Sequence, residues 1–247
     1  VVLGDGRSFQ YRTIPNDAIG RALFWQGLNA WESETTRVFI RLAQNAKLVL
    51  DIGANTGAFT LLACAANPHS RVFAFEPTPR IFERLASNVA LNGWEGRCRL
   101  FQKAVAERDG TASFHVPHGD VPTSASLNPD GYRGYEGAVI EVPVTTVDAV
   151  CAGGQAPDLA KIDVEGFEDK VLEGMRQTLE QARPELIIEC TPEGPFRAVE
   201  AFLRPYGYRF YHLLPEGPKE IEHIAPDHAH HYRNYLCTAR SEPGDRN

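Results

Sequence analysis

The chain has 247 residues, 43% hydrophobic and 23% charged, the balance of a globular protein with one sizeable core. A net charge of −7 provides no basic footprint for DNA or RNA. Its apolar runs are too short to span a bilayer, and its polar, turn-like start does not read as a signal peptide, so a cytoplasmic protein is expected.

In chain order, apolar spacing predicts two helices, at 17–29 and 34–44, within an N-terminal helical annex (1–46) that either lids a ligand site or only packs. Leu48 to Ile52 is an apolar run suited to a buried strand, followed at once by Gly53-Ala-Asn55-Thr-Gly57 and an apolar helix to Ala66. Further strands are expected at 71–76, 97–105, 111–116, 138–144, 159–163, 185–190, 208–214 and 234–239. Helices are expected at 81–91, 169–181 and 196–206. This alternation implies an α/β, Rossmann-like, doubly wound and mostly parallel sheet over 47–240. The Pro-, Gly- and Ser-rich loop 117–137 is long enough to be functional and is expected over the active site, while 241–247 is a polar tail.

A strand, a glycine turn and a helix N-terminus let backbone approach a ligand closely, although any strand–helix turn can use two glycines. Asp51 repels a pyrophosphate and suits an amine-bearing ligand. Asn55 stands where a dinucleotide fingerprint needs its second glycine, and no P-loop Gly-Lys-Ser/Thr is present. Asp-x-Gly-x-Asn-x-Gly is similar to the first motif of S-adenosylmethionine (SAM) methyltransferases.

Open α/β sheets bind ligands at the carboxyl ends of their strands. Those ends are Asp51, Glu76, Lys103-Ala104-Val105, Asp163 and Glu189. An acid where Glu76 stands, about 25 residues past the first turn, accepts ribose hydroxyls in SAM and NAD proteins alike. Asp163 and Glu165, where a strand breaks at Gly166, either work on an acceptor or, with Glu168, favour the next helix. His115 and His212 are further candidate bases, a lone strand histidine being more often structural. Asp163 and Glu189 lack an identified third oxygen ligand, His228-Ala-His-His231 reads as an exposed loop, and the five scattered cysteines include no Cys-x-x-Cys, so no metal is expected.

Asp51-Ile-Gly-Ala-Asn-Thr-Gly, Phe75-Glu-Pro77, Lys161-Ile-Asp-Val-Glu-Gly-Phe-Glu and Glu185-Leu-Ile-Ile-Glu, in that order, resemble the FkbM-type methyltransferases. Trp31-Glu32 and Thr123-Ser-Ala-Ser-Leu127 add to the likeness, which fades beyond Thr191. The resemblance implies a seven-stranded sheet with an antiparallel last strand, SAM as cofactor, and O-methylation of a natural product, sugar or other small molecule. It implies that Gly53, Asn55 and Gly57 pack on the methionine part with Asp51 near its amino group, and that Glu32 and Pro77 belong to the cofactor site. It further implies that Glu76 holds the ribose, Ala104 and Val105 flank the adenine, and Asp163 lies by the methyl group, with Asp163, Glu165 or His212 as the base. Trp25, Trp31, Tyr132, Tyr135 and Tyr211 would line an acceptor site or fill the core. An NAD-dependent oxidoreductase and an inactive nucleoside-binding module are the rival readings, and a homodimer is compatible with either.

Overall fold

The computed structural model describes residues 1–14, 17–29, 32–119, 125–127, 137–226, 229 and 231–240. Trp31, Tyr132, Tyr135, His228, His230, most of the loop 117–137 and the tail 241–247 lie outside the described residues.

The helices are α1 (Ala18–Gln26), α2 (Ser33–Ala43), α3 (Ala58–Ala66), α4 (Pro79–Leu91), α5 (Val147–Cys151), α6 (Glu168–Glu173), α7 (Arg176–Gln181) and α8 (Phe196–Leu203). The strands are β1 (Leu48–Ile52), β2 (Arg71–Phe75), β3 (Cys98–Phe101), β4 (Ala104–Val105), β5 (Gly110–Pro117), β6 (Gly137–Thr145), β7 (Leu159–Ile162), β8 (Glu185–Glu189), β9 (Arg209–Leu214), β10 (Gly217–Ile221) and β11 (Asn234–Thr238). The main sheet runs β10-β9-β11-β8-β7-β1-β2-β3. Five neighbours from β3 to β8 are parallel, and β11 lies antiparallel between β8 and β9. The expected seven strands are all present, and β10 adds an eighth by an antiparallel hairpin with β9.

Two apolar layers sandwich the sheet. Val49 of β1 packs with Phe39 and Phe59 of α2 and α3, while Leu50 and Ile52 pack on the opposite face with Leu172, Leu179 and Val199 of α6, α7 and α8. Helix α3 is buried along all nine residues, as an all-round apolar helix must be.

Three expectations need correction. The strand expected at 97–105 is two strands, because β4 leaves the main sheet to pair with β6 in a separate three-stranded sheet with β5. The helix expected at 169–181 breaks after α6: a Cβ on Gly174 would lie 2.1 Å from the Ala106 carbonyl oxygen, so close packing on the chain after β4 excludes a side chain there. The annex is also not only helical. Its first residues form a turn closed by an antiparallel Val2–Ser8 bridge, and the chain that follows is held to α4 by Asn88, which accepts from the Arg12 amide, and by Asn92, which accepts from the Gln10 amide (both 2.8 Å).

Candidate active site

A cavity opens at the carboxyl edge of the parallel strands, as the topology requires. Its floor is the turn from Gly53 to Asn55, and Glu76 to Thr78, Lys103 to Val105, Asp163 to Glu165, and Glu189 surround it. Phe114 and Leu127 add an apolar wall, and Ala18, Ile19 and Glu32 bring the annex over one side.

One end is organised by backbone. Gly53 and Gly57 have φ of 85° and 96°, and Asn55 also adopts the left-handed region. A Cβ on Gly53 would sit 1.8 Å from the Asp163 carbonyl oxygen, so this glycine permits β1 and β7 to end side by side. Glu76 accepts hydrogen bonds from the amides of Asn55 (3.1 Å) and Thr78 (2.8 Å), tying the glycine turn to the end of β2. Burial pushes its carboxyl up to about 7, against those bonds. Thr78 also lines the cavity beside it. A carboxylate held in place by two backbone amides is a fitting receptor for a vicinal diol.

Asp51 is not on this wall. Strand alternation turns its side chain under α3, where it accepts from the Thr60 hydroxyl at 2.5 Å, and burial pushes it up to about 6. Pro77, Ala104 and Val105 line the cavity as expected, whereas Gly57 acts from behind as the residue that starts α3.

The other end is organised by charge. The Ile162–Ile188 register brings Asp163 and Glu189 level at the ends of β7 and β8, and Glu189 is paired with Asn234 of β11. Carboxylate oxygens of Asp163, Glu165 and Glu189 lie within 4.8 Å of one another. Lys161 donates to Asp163 Oδ2 at 2.8 Å, Arg233 pairs with Glu189 Oε1 at 3.2 Å, and Asn234 Nδ2 donates to Glu32 Oε2 at 3.0 Å. Burial works against Asp163, but the Lys161 ammonium outweighs it and holds the carboxyl below the usual range. Burial and the Asp163 charge push Glu165 up to about 8 and Glu189 well above its ordinary value, and burial raises Glu32. Two protein cations already neutralise part of this set, so it reads as a group of carboxylates sharing protons.

Glu165 holds φ 54°, and Ser126 donates to its carbonyl oxygen at 2.7 Å. Ser126 also exchanges both backbone hydrogen bonds with His115, which ties Ser126 to β5. Glu168 accepts from the amides of Gly166 and Val164, so its role is to close the turn before α6. His212 does not reach the cavity: its Nε2 lies 2.8 Å from the Tyr232 carbonyl oxygen and its ring stacks on Tyr235 at 4.6 Å. In β5, Phe114 and not His115 lines the cavity. Of the expected aromatics, Trp25 is 76% exposed beside Phe24, and Tyr211 is in the core.

Residues 51–210 match the model of the Methyltransferase FkbM domain. The chain belongs to that family. It is 32% identical over 149 residues to the 2-O-methyltransferase NoeI of Sinorhizobium fredii, covering 55% of this chain and 60% of that one. It is 28% identical over 151 residues to the hexuronic acid methyltransferase AglP of Haloferax volcanii, covering 60% and 58%. The match thus spans about three fifths of either relative. The crystal structure of methyltransferase FkbM from Methylobacillus flagellatus shares the fold, with TM-score 0.52 and 18% identity over 79% of this chain and 44% of that one.

Proposed function

We propose that this FkbM-family chain is a SAM-dependent O-methyltransferase acting on a sugar or another hydroxyl-bearing small molecule. The observation that carries the reading is one cavity with a diol receptor, Glu76, at one end and the protonatable Glu165 beside anionic Asp163 at the other. Glu76 would hold the ribose hydroxyls, Gly53 to Asn55 would back the methionine part, and Ala104, Val105 and Phe114 would flank the adenine. When bound, SAM supplies an activated methyl group, which the acceptor oxygen gains as the carbon–sulfur bond breaks with its electron pair onto sulfur. Glu165 takes the hydroxyl proton and returns it to solvent, and Asp163 and Glu189 orient the hydroxyls. The relatives named for 2-O- and hexuronic acid methylation support a glycan acceptor. We place 47–240 as the catalytic domain, 1–46 as an annex contributing Glu32 to the wall, and the reaction in the cytoplasm, where SAM is made and the five cysteines stay reduced.

The test is calorimetric titration of SAM and of NAD into the wild type and Glu76→Ala, followed by labelled-methyl turnover on a panel of hydroxylated acceptors. The expected result is SAM binding that Glu76→Ala weakens, no response to NAD, and label recovered in an alkali-stable methyl ether. NAD binding without SAM binding would overturn the reading.

A further inference from the structure

Among the described residues, Lys161 is the cation most completely withdrawn from water, at 1% exposure. A buried ammonium costs several kcal/mol that a leucine or methionine would not. Its neighbours in β7, Ala160 and Ile162, are apolar core residues, so folding alone does not account for it.

The geometry shows what it holds. Residues two apart in a strand share a face, about 6.6 Å apart. The lysine stem runs forward along β7 to place Nζ 2.8 Å from Asp163 Oδ2, 5.1 Å over the Phe59 ring of α3. Asp51 of β1, Glu32 just before α2 and Glu189 of β8 face the same ammonium, as does Glu165 beyond the strand end. Arg233 acts on the same cluster from the approach to β11. Among these carboxylates, Asp163 alone accepts a hydrogen bond from Lys161. A carboxylate oxygen of Asp163 also lies within 4.8 Å of one on Glu165 and one on Glu189. Three carboxylates this close cannot all ionise cheaply.

We propose that Lys161 is a positioning residue that clamps Asp163 as an anion facing the cavity, leaving Glu165 and Glu189 to hold and release the proton taken from the acceptor. Only the last step of this inference rests on the methyl-transfer reading.

The test is a ¹³C-carboxyl NMR titration of the full chain, labelled at Asp and Glu side chains, for wild type, Lys161→Met and Lys161→Arg. Asp163 in the wild type is expected to show no titration between pH 5 and 9, while Glu165 or Glu189 titrates in that window. In Lys161→Met the titration moves onto Asp163, and Lys161→Arg returns it to the glutamates. With a turned-over acceptor, Lys161→Met lowers kcat by about 10²-fold and shifts the pH profile, with KM for SAM nearly unchanged. Asp163 titrating near neutrality in the wild type would overturn the clamp even if the variants fail to fold, as would an unmoved Asp163 in Lys161→Met. Calorimetry with SAM on the same samples reads the cofactor assignment separately.

Discussion

The two ends of the cavity carry carboxylates held in opposite ways. Glu76 is gripped by amides from its own neighbourhood, one in the glycine turn and one two residues ahead. Asp163, Glu165 and Glu189 are held by one another and by Lys161 and Arg233, groups that meet only once β7, β8 and β11 align. A carboxylate held by backbone is fixed in position, whatever its proton does. A set of carboxylates held by mutual charge has a protonation state that can change, which suits the end where a proton must move.

The largest effect that would break this contrast is Glu165→Gln. It should lower turnover by about 10²–10⁴-fold while leaving SAM affinity nearly intact. Because the wild-type carboxyl sits near 8, the rate should rise with pH through that value, and the variant should lose the rise. A variant that keeps the same pH profile would remove Glu165 as the base. Next comes Glu76→Ala, which should weaken SAM by roughly 10–100-fold by calorimetry without touching that pH dependence.

Gly53→Ala joins both ends, since the added Cβ would meet the Asp163 carbonyl at 1.8 Å in a left-handed backbone. A loss of about 3 kcal/mol, or roughly 6–12 °C in a thermal melt, is expected.

A smaller effect concerns Glu76→Gln. Burial raises the folded carboxyl from 4.5 to about 7, so its ionisation costs nothing below pH 4.5, costs progressively more up to 7, and is constant above, reaching at most ~3 kcal/mol. The variant should therefore gain on the wild type as pH rises from 5 to 8, and melts at a constant offset would refute the burial effect. Smallest is His212→Gln, expected to change turnover less than about threefold, because the ring serves the Tyr232 carbonyl and Tyr235.

The same contrast governs how much was legible in the sequence. The glycine turn, Glu76, and Asp163 with Glu165 follow from short local patterns, and the strand ends from alternation. Lys161 was visible only as a motif letter, because its burial depends on α3 closing over it. Arg233 and Asn234 carry no local signal at all; register with β8 alone brings them to the site. Asp51 is legible as a strand-end acid, but that its side chain lies under α3 and bonds Thr60 is set by the pleat and the helix packed on it. Strand β10 was missed because Gly217-Pro-Lys-Glu-Ile has the composition of a turn and not of a strand.

That composition has its own consequence. Strand β10 is one of the two margins of the main sheet, where unpaired backbone invites another chain to join. Pro218 has no amide hydrogen to offer, and Lys219 and Glu220 stand exposed along the margin. The strand covers β9 while presenting a poor template for sheet extension, and so acts as a guard against edge-to-edge aggregation.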